Sequence, residues 1–199
     1  MDSTTPLPDP RPVYARATEQ AAAVIAAVRP EQLAGPTPCS EFDVRALLDH
    51  VVVVSLRLAA VGADGVPRAV DTTTDDVPDD GWSAAYEEVR ARVIRAWESD
   101  ERMAAPTRVP WGEMPGRAAL SGFVMELVAH TWDLNEALGR PIVLDPELGE
   151  FALAAAHRAL PEPERDPRRP FDAARPAPEG ADANDRLAAW LGRRPLGRV

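Results

Sequence analysis

Glu126 and His130 stand four residues apart in the segment GRAALSGFVMELVAHTWDLNEALG. On a helix of 100° per residue they share a face with Phe123, Leu127, Leu134, Ala137 and Leu138, so both polar groups point where a core should be. A charge buried alone is costly enough that the group neutralises, finds a counter-charge or coordinates a metal. A carboxylate and an imidazole at i, i+4 offer two donors of the kind divalent ions take. The other reading is a hydrogen-bonded structural pair, and spacing alone leaves the two balanced. A third donor is available among the three histidines, His50, His130 and His157. His50 falls in an earlier helical segment, about 70° from the centre of its apolar stripe, a position suited to a site between helices. Two imidazoles and one carboxylate form a three-donor set that leaves a coordination position open for water or substrate. His157, in AAAHRAL next to Arg158, reads as a surface or partly buried helix residue and stays outside the set.

Other reactive residues are few. Cys39, in TPCSEF, has no His or Lys beside it in sequence, and its place before a helix start lowers a thiol pKa only modestly; it reads as a small buried loop residue. Asp133, one turn beyond His130, suits orientation of an imidazole, but capping or an arginine pair suits it equally. No G-x-S-x-G, no G-x-G-x-x-G and no diagnostically spaced catalytic carboxylates occur. All 22 basic residues are arginine, so Schiff-base chemistry and the P-loop lysine are excluded. The net charge of -10 and the scattering of the arginines argue against a nucleic-acid or anionic-lipid partner. One cysteine excludes an internal disulfide, and the first residues show no basic region followed by an apolar run. The longest purely aliphatic run is Val51 to Val54, far short of the roughly 20 residues that span a bilayer. These features predict a cytoplasmic protein without a membrane segment.

The elements that must hold the three donors are helices. Periodicity predicts helices over about 12–28, 41–61, 82–99, 118–138, 146–160 and 184–191. The second includes four consecutive valines, yet Val44, Leu47, Val51, Val54, Leu58 and Val61 keep a helical stripe over too long a span for a strand. Ser40 with Asp43 forms a capping-box-like start to it. Residues 62–80 read as an acidic surface loop, and 103–117, with three prolines and two glycines, as an irregular or hairpin-like connection. After residue 160, PEPERDPRRPFDAARPAPEGAD is dense in proline and charge and reads as extended or partly mobile. The expected organisation is a helical bundle over 1–160 and a Pro/Arg-rich tail over 161–199 whose short helix docks back through Leu187, Trp190 and Leu191. Four main helices, each with a core stripe, predict a four-helix bundle, a fold in which metal sites are built from inward-facing side chains.

TPCSEFDVRALLDHVV, PWGEMPGRAALSGFVMELVAHTWDLNEALGR and DANDRLAAWLGRRP together resemble the actinobacterial metal-binding proteins grouped with the mycothiol-dependent maleylpyruvate isomerase family, within the DinB-like (YfiT-like) superfamily. The resemblance runs from about residue 14 through nearly the whole chain. It implies an all-α, up-down-down-up four-helix bundle with a short C-terminal helical extension, residues 62–80 serving as the long crossover. It implies a divalent metal, usually zinc though nickel, iron or cobalt suit the same donors, held by His50, Glu126 and His130. It further implies mycothiol as a cosubstrate, which the metal would favour as thiolate for attack on a small electrophilic substrate. Phe42 stands where the family often has tryptophan, and the region after residue 140 resembles the short family tail rather than the additional domain of the full isomerase. Arg45 and Arg117 are available for a substrate carboxylate. The expected activity is a thiol-dependent transferase or isomerase. Its alternatives are a metal-dependent hydrolase, with a metal-acidified water, and a non-catalytic metal-binding bundle; the chain is expected as a monomer or homodimer.

Overall fold

A computed structural model describes residues 8–67, 74–161, 165 and 171–197. Four long helices form the bundle: α1 (Arg11–Ala26), α2 (Val44–Asp64), α3 (Trp82–Ala96) and α5 (Gly116–Ala137). A short helix, α4 (Asp100–Ala104), and a hairpin of β1 (Pro106–Val109) and β2 (Gly112–Pro115) join α3 to α5. Helices α6 (Pro146–Ala159) and α7 (Ala183–Trp190) follow, and α7 packs on α6 and α5.

Interhelical contacts give the direction of each helix. Trp97, just past the end of α3, donates from Nε1 to the Leu58 carbonyl late in α2 at 2.9 Å, while Arg45 at the start of α2 pairs with Asp79 ahead of α3. Those two helices are therefore parallel. Arg11, opening α1, donates to the Glu98 carbonyl past the end of α3, so α1 runs against it. His50 early in α2 meets Glu126 in α5, and Leu58 later in α2 lines the same cavity as Phe123 earlier in α5, so that pair is antiparallel. The result is an up-down-down-up four-helix bundle. The close approach of α2 and α3 depends on Gly62, where a Cβ would lie 2.5 Å from Trp97 Nε1.

The helix boundaries follow local chemistry. α2 starts at Val44 rather than near Glu41, because Asp43 itself caps it, accepting from Ala46 N at 2.8 Å. Thr37 Oγ1 organises the preceding turn, accepting from Cys39 N at 3.2 Å and donating to Phe42 O at 2.8 Å. α3 stops at Ala96 instead of residue 99, since Ser99 caps α4, which sequence periodicity did not reveal. α5 gives way at Gly139, whose φ of 80° is the left-handed conformation that glycine favours.

Two expectations change. α5 was expected to bury one stripe, but every residue from Leu127 to Asn135 is buried, because α6 and α7 cover the face that the bundle leaves open. α2 is long and apolar enough to cross a membrane by length and composition, which an uninterrupted aliphatic run did not show; half of that stretch is buried against the neighbouring helices. Residues 68–73 of the expected crossover loop and 162–164 and 166–170 of the proline-rich tail lie outside the described residues.

Candidate metal centre

The capped start of α2 sets its register, with His50 about two turns in on the side facing α5; α5, about six turns long and largely buried, brings Glu126 and His130 to meet it. One donor atom from each of His50, Glu126 and His130 lies within 4.8 Å of the others. His50 Nε2 is 3.4 Å from Glu126 Oε1, and the two imidazole centroids are 4.8 Å apart at 75°. The side chains of His50 and Glu126 retain 29% and 21% exposure, whereas His130 is buried. Phe42 packs on both rings, with centroids at 4.9 Å from His50 and 6.4 Å from His130.

The three donors border a small cavity with about 20 Å³ open to the centre of a water-sized sphere, enough for roughly one water or ion. Tyr14, Val51, Val54, Leu58, Phe123 and Leu127 supply most of the remaining wall. Burial pushes the Tyr14 hydroxyl well above its ordinary range, with Tyr86 and Glu126 adding to the shift. His50 Nε2 is buried without a hydrogen-bond partner. A buried acceptor or donor left unpaired costs on the order of 1–3 kcal/mol, so an imidazole nitrogen of this kind beside a carboxylate fits the donor set of a divalent cation.

On its other side His130 is tied down. Its Nδ1 lies 3.1 Å from Asp133 Oδ2. Arg193 Nε sits 3.2 Å from both oxygens of Asp133. Asp133 is 0% exposed and the Arg193 side chain 8%. Cys39 is buried there too, and its Sγ is within 4.8 Å of donor atoms on His130 and Asp133. The thiol's ionisation is pushed up by burial, against the opposing pull of Arg193, rather than lowered by the helix start. Sequence distance hid this cluster: Cys39 has no basic neighbour along the chain, and Arg193 arrives from beyond α7.

Arg45 and Arg117 do not line the cavity; Arg45 is held at the surface by Asp79 at 2.5 Å. His157 is exposed, with its ring 4.4 Å from that of Trp190. A residue missed from sequence is Trp111, in the hairpin loop and 50% exposed, whose ring is 4.9 Å from that of Phe123 in the cavity wall.

Residues 14–135 match the family model of the mycothiol maleylpyruvate isomerase N-terminal domain. The chain belongs to this family. An uncharacterized protein of Mycobacterium tuberculosis, found in strains CDC 1551 / Oshkosh and H37Rv, is 37% identical over 187 residues, which is 93% of this chain and 98% of the relative. A crystal structure of the mycothiol-dependent maleylpyruvate isomerase superposes with a TM-score of 0.61 at 16% identity, covering 79% of this chain and 70% of that one. A mutant of the same enzyme gives 0.60 at 14% identity over the same shares. At these identities the likeness establishes the shared helical fold.

Proposed function

We propose that this protein is a cytoplasmic, divalent-metal-binding thiol transferase or isomerase, with zinc held by His50, Glu126 and His130 and mycothiol as cosubstrate. The observation that carries the reading is the unpartnered His50 Nε2 beside Glu126, at a cavity of the size of one ion or water. His50 and His130 supply two nitrogens and Glu126 one oxygen, which leaves a coordination position open. When bound, the cation favours the thiolate of a coordinated thiol, the form that attacks electrophilic carbon. The chain's own part is to present these donors against an aliphatic wall, to pack Phe42 on the His50 ring, and to hold the imidazoles at 75° to each other. Family membership supports mycothiol as the thiol.

The test is elemental analysis of purified protein and of His50→Ala, followed by titration of the metal-loaded protein with mycothiol. About one equivalent of zinc that vanishes in the variant, with proton release on thiol binding, is the expected result. Metal without thiol binding, joined to ester or amide cleavage in the absence of thiol, would replace this reading with a hydrolase. Protein that cannot be loaded with any divalent metal would overturn it.

A further inference from the structure

The geometry points to Arg193 as a positioning residue of the centre: by gripping Asp133 it keeps the His130 proton on Nδ1, so that Nε2 has the lone pair to give to a metal. This rests on the metal-binding reading above and extends it to the C-terminal segment. Asp133 is wholly buried and is contacted from two sides, by His130 Nδ1 at 3.1 Å and by Arg193 Nε at 3.2 Å from each oxygen. Arginine does not give up its proton in proteins, and a carboxylate beside it is an acceptor only. The hydrogen in the contact between His130 and Asp133 therefore belongs to Nδ1. A neutral imidazole in water prefers the opposite tautomer, with the proton on Nε2, which is the wrong one for coordination at that nitrogen. Hydrogen-bond partners of this type orient metal-bound histidines and set their tautomer.

Arg193 is delivered to this place by a built turn. Gly192, at φ 81°, reverses the chain after α7, with Asp172 packed where a Cβ would stand. Arg193 N donates to Ala188 O at 2.9 Å, and Arg175 Nε donates to Gly192 O at 2.9 Å. α7 is itself locked to the residue next to Asp133, since Trp132 Nε1 donates to Asp185 Oδ1 at 2.8 Å. By distance alone Cys39, His130 and Asp133 could also hold an ion. The guanidinium already neutralises Asp133, so a second cation at that spot would meet like charge.

The tautomer is read in the metal-free full-length protein by 15N spectroscopy of the histidine side chains. Wild type is expected to show His130 protonated at Nδ1. Arg193→Gln, close in shape but uncharged, is expected to give a mixture of tautomers and to weaken zinc binding 10–100-fold in a chelator competition. Arg193→Lys restores charge without the planar fork and should recover part of both signals. Circular dichroism and thermal melts identify variants that stay folded, and a simple structural role would move the melting temperature while leaving tautomer and zinc affinity alone. Folded variants with the wild-type tautomer and zinc affinity within twofold would overturn the inference. If Arg193→Gln fails to fold, the Lys variant decides by the same two readouts. Wild type that binds no zinc would sink the metal reading, whereas the tautomer measurement judges the link through Arg193 either way.

Discussion

The two sides of His130 are built to opposite rules. Towards Asp133 every polar group is answered: an imidazole nitrogen, a carboxylate and a guanidinium close on one another under full burial. Towards α2 the histidine meets a cavity where His50 Nε2, 3.4 Å from Glu126, has no hydrogen-bond partner and Glu126 stays partly exposed. Buried polar groups are normally satisfied, so under the proposed function the side that breaks this rule would take the ligand and the closed side would support it. Tyr86 shows that burial without a hydrogen-bond partner also occurs outside the three-donor set, since its hydroxyl is buried on α3. What separates His50 from Tyr86 is company: two further donors converge on the former.

Substitutions can break this contrast in graded steps. His130→Ala removes the link between both sides and should weaken zinc binding by more than the roughly 10–100-fold that follows loss of a ligand's hydrogen-bond partner; chelator competition measures it. Asp133→Ala strands the buried Arg193 and should cost about 3–5 kcal/mol in denaturant unfolding. A smaller loss would mean that the closed side is wetter than its burial implies. His50→Leu removes the unpartnered nitrogen, so the metal-free protein should gain about 1 kcal/mol while zinc binding disappears; a destabilised variant would show that the open side carries no stored cost.

Alkaline stability sharpens the role of burial. Burial pushes the Tyr86 hydroxyl above its ordinary range. Below about pH 10 the folded and unfolded chains both hold that proton, and the contribution is intact. As pH rises past that point the unfolded chain ionises first and stability falls. Tyr86→Phe should flatten this loss in melts taken from pH 9 to 11 and change stability little at neutral pH, since no hydrogen bond is removed. The smallest effect belongs to Trp111→Ala, an exposed hairpin residue, expected to change stability by about 0.5 kcal/mol.

The sequence made the long helices legible because each carries an uninterrupted apolar period, as in Val44, Leu47, Val51, Leu58 and Val61 of α2, all buried. His50, Glu126 and His130 were legible for a related reason: they are polar residues on or at the edge of such periods, and the structure brings them together. Short-range signals were weaker. Ser99 as a cap outweighed the continuing period of α3, and a five-residue α4 has no room for a pattern. Cys39 and Arg193 were invisible as partners of His130 because a loop and a turn after α7 deliver them, and no periodicity links segments so distant. The complete burial of the second half of α5 depended in the same way on where α6 and α7 dock.

Trp111 also makes the protein legible to light. Trp82, Trp97 and Trp132 are buried, whereas Trp111 stands half in solvent with its ring against Phe123. A water-soluble collisional quencher should therefore extinguish the emission of Trp111 first. Any guest that wedges against Phe123 changes how much of that indole the quencher meets, so occupancy of the cavity can be followed optically in the unlabelled protein.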